Sequence, residues 1–211
     1  MKKNVKSYLI IPALFLLIGN YSFSQTKIHE PYNELLNKAV NKKGKVDYKL
    51  LIENKEKMNN YLKKLYNVKS LQAWNNDEKL AYWINLYNAS TLKLIISEYP
   101  VENMLNLDKP FKRKFIHMKG DKFALNKIEN EIIRPKFQDP RTHFALNCGA
   151  VSCPKLRNEA YMPNKLDEQL NDQTKHFLRK SNKNNISKNK LSLSKIFEWY
   201  KEDFDQGVIE F

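Results

Sequence analysis

Apolar residues recur three and four apart through much of this chain, and that spacing predicts helices. Tyr32, Leu35, Leu36, Ala39 and Val40 follow Pro31, which suits a first helical turn, and Gly44 is placed to end the helix. A short extended link at Val46-Asp47-Tyr48 leads to a second helix over about residues 49–66, with Leu51, Met58, Leu62 and Leu65 inward. The strongest pattern starts at the Asn76-Asp77 capping pair, with Glu78 at the positive helix end. It runs through Leu80, Trp83, Ile84, Tyr87, Thr91, Leu94 and Ile95 to a stop at Pro100. Apolar side chains cover more than half its circumference, so this helix, about residues 77–98, is expected to be central and buried.

Further along, the period shortens. Phe115 to Met118 and Lys122 to Leu125 flank Lys119-Gly120-Asp121 and predict a β-hairpin. Asn126 is placed to cap a helix through Arg134, with Ile128, Ile132 and Ile133 inward and Pro135 at its end. Asp139-Pro140-Arg141 has turn chemistry, and Thr142 to Asn147 alternates as a strand would. Pro163 and Asn164 open another amphipathic helix, carrying Leu166, Leu170, Phe177 and Leu178. Residues 186–193 contain a second hairpin, and Ser194 can cap a last helix with Ile196, Phe197, Trp199, Tyr200 and Phe204. The sum predicts an α+β fold: a mostly helical single domain with a small antiparallel sheet.

The start of the chain reads as an address. Lys2, Lys3 and Lys6 precede an apolar stretch from Tyr8 to Ile18, and Ser22-Phe23-Ser24 is a small-x-small cleavage pattern. A signal peptide over residues 1–24 is expected, with a single domain over 25–211; the alternative is an uncleaved anchor. The apolar stretch is shorter than the about 20 residues a span needs. No later run compensates, so no stable membrane span is expected after cleavage, and the protein is expected to be exported, periplasmic or extracellular.

Composition narrows the partners. The chain has 211 residues, a net charge of +14, and too few Gly and Pro for a collagen-like or low-complexity chain. Removing the leader takes away three Lys and no acid, leaving +11. For an exported protein, such charge points to an anionic envelope polymer or lipid surface, or is simply a solvated surface. The densest patch, Arg179, Lys180, Lys183, Lys188, Lys190 and Lys195, lacks interleaved stacking aromatics, so nucleic acid is not an expected partner. A small molecule, a peptide or an envelope polymer is. No cofactor or metal is expected.

The chemically unusual stretch runs from His143 to Pro154. Both cysteines, Cys148 and Cys153, lie there five apart in a loop of small residues. Several readings stay open. An exported protein can bridge Cys148 to Cys153 as a disulfide. Alternatively Cys148 is a nucleophile and His143 its base, with Glu129 or Asp139 orienting the imidazole. That pairing needs a bend near Asn147 to Gly149, because on a straight strand His143 and Cys148 point apart. A metal site of His143, Cys148 and Cys153 matches no zinc spacing, a redox pair departs from C-x-x-C, and a free core cysteine is the remaining alternative. Asn85 and Asn88 sit three apart inside the buried helix, so they either bond loop backbone or line a site. Asn147, Arg141 and Ser152 are further candidate substrate contacts, and the amides of residues 149–152 could hold an anion. His29 is expected to be solvated and His117 structural, while His176 sits in a charged helix.

Three blocks carry a resemblance: Ala81-Tyr-Trp-Ile-Asn-Leu-Tyr-Asn-Ala89; Ile128-Glu129 followed by Arg134; and Asp139-Pro-Arg-Thr-His-Phe-Ala-Leu-Asn-Cys-Gly-Ala-Val-Ser-Cys-Pro-Lys-Leu156. Together they resemble the domain-of-unknown-function 547 family over about residues 77–180. In that family the glutamate of the middle block is often followed by histidine; here the position is Asn130. A remoter similarity to the papain and transglutaminase type of fold rests on a central helix followed by strands bearing histidine. In those enzymes the nucleophile opens the central helix, which here has no cysteine.

Two functions follow as expectations. One is an exported cysteine-dependent hydrolase or acyl-transferase acting on an amide or ester, with Cys148, His143 and Glu129 catalytic and Asn85, Asn88, Asn147, Arg141 and Ser152 holding substrate. The other is a non-catalytic cell-envelope binding module with a Cys148–Cys153 disulfide.

Overall fold

Asn75 opens the helix around which the others pack. Its side chain accepts from the Glu78 backbone N–H, and the Glu78 carboxylate accepts from the Asn75 N–H, a reciprocal capping box one residue earlier than the expected cap. The computed structural model describes residues 13–101, 103–118, 120–150, 153–179, 181–187 and 189–204, with the side chains of residues 13–25, Ile186 and Lys190 excepted. Within these, α1 spans Ala13–Ala39, α2 Tyr48–Glu53, α3 Lys55–Tyr66 and α4 Asn76–Ser97. The β1–β2 hairpin pairs Ile116–Met118 with Asp121–Phe123 antiparallel, and β3 (Asn185–Ser187) pairs with β4 (Lys190–Ser192) in the same way. Between the hairpins lie α5 (Leu125–Lys127), π-helical turns over Ile128–Ile133, α6 (Arg134–Phe137), α7 (Thr142–Ala145) and α8 (Leu166–Arg179). Two short helices follow, α9 (Ile196–Trp199) and α10 (Lys201–Phe204). The fold is α+β and mostly helical, its strands forming two separate hairpins rather than one sheet.

α4 is the buried centre, with α1 and α3 packed along it and the π-helical segment against another side. Burial on nearly all sides explains why its apolar stripe is so wide in the sequence. A second, smaller cluster joins Phe144 of α7, Phe177 of α8 and Ile196, with Phe197, Tyr200 and Phe204 packed on it. That cluster seats the C-terminal helices against the body.

Several boundaries differ from expectation for local reasons. α1 begins well before Pro31, which lies inside it, and ends at Ala39. Gly44 instead shapes the turn that follows, at φ +78°, where Asn41 Oδ1 accepts from the N–H groups of Lys43 and Lys45. The expected second helix is two helices, interrupted where the Asn54 side chain donates to the Leu50 carbonyl. Pro135 does not stop its helix, because it falls in the first turn of α6, where no backbone donor is needed; Gln138, left-handed at φ 50°, does. Ala124, not Asn126, precedes α5. Residues 1–12 of the expected leader lie outside the described residues. Among the described residues, no helix is long and apolar enough to cross a membrane.

His29 also departs from expectation. It faces inward from α1, fully buried, with Nδ1 2.8 Å from the Tyr61 hydroxyl. Burial pushes its imidazole down to about 3.

Asn85 and Asn88 use both ends of their amides on the backbone of other segments. Asn85 donates to the Tyr161 carbonyl (2.7 Å) and accepts from the Tyr161 N–H (3.0 Å). Asn88 donates to the Ala145 carbonyl (3.0 Å) and accepts from the Asn147 N–H (2.8 Å). Replacing either by Ala strands one buried donor and one acceptor, so each variant is expected to lose about 2–4 kcal/mol of unfolding free energy in urea titrations. His29 is neutral when folded but titrates near 6.5 when unfolded, so the unfolded chain binds the extra proton. Its contribution is therefore complete above pH about 6.5 and lost as pH falls toward about 3. A His29→Leu variant is expected to show a shallower fall of urea midpoint across that window than the parent.

Candidate functional site

The loop that carries the candidate chemistry begins with a helix, not a strand. Asp139-Pro140-Arg141 supplies carbonyls that accept from the N–H groups of Thr142, His143 and Phe144, which starts α7. All four α7 residues are buried, so alternation there carried no information about a strand. The chain leaves α7 extended at Leu146 and turns at Gly149, φ +73°. A Cβ at Gly149 would lie 2.8 Å from Ile95 Cδ1 of α4, so both conformation and space require glycine. Asn147 ties the loop across its base, donating to the Pro154 carbonyl (2.7 Å) and accepting from the Gly149 N–H (3.1 Å). With His143 on a helix, the papain-like similarity loses the histidine-bearing strand on which it rested.

This bend brings Cys148 and His143 to one small cavity of about 70 Å³, which Glu129, Cys153, Trp199 and Tyr200 also border. Cys148 is joined to Cys153 by a disulfide with Cα atoms 6.0 Å apart, so it carries no thiol in this structure. The bridge also removes both sulfurs as thiolate ligands for a metal. Among the described residues, no other group of three His, Cys, Asp or Glu is placed to hold one.

The carboxylate that reaches His143 is Asp203 of α10, 2.7 Å from Nε2. Arg134 grips the same carboxylate with two bonds, 2.6 and 3.1 Å, and reaches back to Asn130. Burial would push the Asp203 carboxyl up, but its bonds to Arg134 and His143 outweigh that and hold it below its usual value. Burial lowers the His143 imidazole, and Asp203 only partly restores it. The pair is therefore an ionised carboxylate accepting from a neutral imidazole, which leaves Nδ1 as the basic nitrogen. The ring stacks on Tyr200, centroids 3.9 Å apart.

Glu129, expected to orient His143, has other partners. It lies on the π-helical turns, 8% exposed, and accepts from the hydroxyls of Tyr200 (2.6 Å) and Tyr87 (3.3 Å). Burial and the neighbouring Glu129 charge raise both phenols, which stay protonated and donate. Asp139 pairs with Arg141, which also bonds Asp167 (2.6 Å) and Asn171 (2.7 Å) of α8. Arg141 thus ties the turn to α8 and does not border the cavity. Nor do Asn85 and Asn88, whose amides hold loops; Ser152 lies outside the described residues. His117 is exposed on β1.

Sequence reasoning missed Asp203 and assigned Tyr87, Trp199 and Tyr200 to core positions only. Asp203 is 60 residues from His143, a separation at which spacing carries no signal.

On the other side of the disulfide loop lies a broader groove of about 630 Å³, walled by Cys153 and Pro154. Among the described residues, Lys42, Lys43, Lys45, Lys155, Lys183 and His176 border it, and no carboxylate does. Asp172, bonded to Arg157, acts electrostatically on Lys155 and His176 nearby.

Asp203→Ala is expected to free the C-terminal helices: hydrogen exchange should accelerate across residues 196–204, with about 2 kcal/mol of stability lost. Asp203→Asn should lower the His143 imidazole further, read by NMR titration, because the partner that restores it is gone.

A family model described as "Protein of unknown function, DUF547" matches residues 71–178, just over half of the chain. No curated protein and no solved structure matches. The matched stretch runs from before α4 almost to the end of α8 and takes in Glu129, His143 and both cysteines. The chain belongs to the DUF547 family of proteins of unknown function.

Proposed function

We propose that this protein is an exported, non-catalytic binding module of the cell envelope, which holds an anionic polymer in the lysine-lined groove beside its disulfide-closed loop. The single observation that carries this reading is the groove itself: among the described residues, five lysines and a histidine border it and no acid does, and the disulfide loop forms one wall. Lys42, Lys43 and Lys45 are exposed on a turn shaped by Asn41 and Gly44, so their charges sit on a fixed support. Several lysines bordering one broad groove suit a repeating anionic chain better than a compact ligand. Export is supported by the leader pattern and by the disulfide, which persists in oxidising compartments.

A second reading, cysteine-dependent hydrolysis or acyl transfer on an amide or ester, is favoured by one observation: Cys148, His143 and Glu129 border the same cavity. It applies to the chain reduced by an external dithiol. Cys148 Sγ would then lose its proton to His143 and attack the acyl carbon, and His143 would return the proton to the leaving group.

Two measurements separate them. Dextran sulfate is expected to bind the intact, unreduced protein and to weaken at least about tenfold from 50 to 500 mM salt, because contacts in an open groove are screened. The triple variant K42E/K43E/K45E should lose most of that affinity while unfolding at the same urea concentration. Affinity indifferent to both changes would sink the polymer reading. Thiol titration of folded, unreduced protein should find no free thiol. After reduction by a dithiol, alkylation of Cys148 near neutral pH well ahead of Cys153 would instead support the second reading.

A further inference from the structure

The inner cavity has the opposite electrostatic character from the groove. Among the described residues that border it, the only carboxylate is Glu129, buried to 8% exposure and without a cationic hydrogen-bond partner. Arg134 acts on Glu129 electrostatically, but its N–H groups go to Asp203 and Asn130. Arg134 and Asp203 cancel as a pair, and His143 is neutral. The donors on Glu129 are two phenol hydroxyls, one on each oxygen, which leaves each oxygen with a further acceptor position. A buried carboxylate whose hydrogen-bond donors are both neutral phenols has room for a cationic donor at its open acceptor positions.

The walls specify what kind of cation. Leu146, Ile196 and the disulfide give apolar sides. Trp199 borders the cavity yet is 59% exposed, so its indole stands at the mouth. No ring contact engages it among the described residues, whereas Tyr200 has His143 stacked on it and Arg134 over its ring at 4.9 Å. An aromatic at the mouth, apolar sides and a carboxylate at the base match a narrow aliphatic stem with a terminal positive charge. At about 70 Å³ the cavity suits a slim group that donates hydrogen bonds rather than a bulky one that cannot.

We propose that this cavity is a binding site for a primary ammonium group on a short alkyl stem, with Glu129 as its counter-ion and Trp199 covering the stem. The ammonium donates to the open acceptor positions on Glu129 while the stem lies along Leu146 and Ile196. The inference does not rest on the polymer reading, because the probe is cationic and the lysine groove repels it.

The test uses n-butylammonium chloride on the full, unreduced chain, followed by NMR at the Trp199 indole N–H and at the amides of Leu146 and Cys148, at constant chloride. A saturable shift is expected. n-Butanol, which has the same shape without the charge, should bind at least about tenfold more weakly. Tetramethylammonium should bind no better than the alcohol. Glu129→Gln should reduce the amine to the alcohol's level. Trp199→Ala changes only an exposed residue and should weaken the amine while leaving the fold intact. If Glu129→Gln does not fold, the three probes and Trp199→Ala still decide. The proposal is overturned if the cavity resonances show no saturable shift, if the alcohol or tetramethylammonium matches the amine, or if folded Glu129→Gln binds the amine undiminished.

Discussion

The contact between Asn88 and the backbone on either side of Leu146 is the constraint on which the site depends. One buried amide on α4 satisfies the last carbonyl of α7 and the first donor of the loop beyond it. Asn147 then repeats the device, bonding Gly149 and Pro154, so the bend passes from a rigid helix to a six-residue loop through two side chains. Position 149 must be glycine, because Ile95 of the same helix leaves no room for a Cβ there. Helix, bend and disulfide are thus one assembly, and the positions of His143 and Cys148 follow from it.

That assembly separates two environments of opposite sign. Cys153 and Pro154 border both the lysine groove and the small cavity that holds Glu129. The groove presents exposed lysines, whose attraction for an anion acts at long range and is screened by salt. The cavity presents a buried carboxylate, whose interaction with a group inside it is strong and little screened because little water reaches it.

The cover lies beyond the matched family segment. Trp199, Tyr200 and Asp203 all follow residue 178, yet Trp199 and Tyr200 border a cavity that Glu129 and His143 of the matched segment also border, and Asp203 bonds His143. Asp203 binds Arg134 and His143 at once, and Tyr200 both stacks on His143 and donates to Glu129. The π-helical turns under Glu129 widen the backbone where the carboxylate must face both tyrosines.

Periodicity alone determined the long elements. α8 is legible because one of its faces is in the core, α4 because its length and capping residues mark it out, and the hairpins because turn residues separate their strands, local patterns that survive any packing. The family blocks and the pairing of two close cysteines in a small-residue loop were equally visible. The sequence could not show that Thr142–Ala145 is helical, since a segment buried on every side has no period to read. Nor could it show that His29 is buried, because its cover depends on α3 docking against α1. The partner of His143 was hidden for the same reason. Which carboxylate reaches that imidazole depends on where a C-terminal helix docks on a phenylalanine cluster, and docking is settled by the whole core rather than by neighbours in the chain.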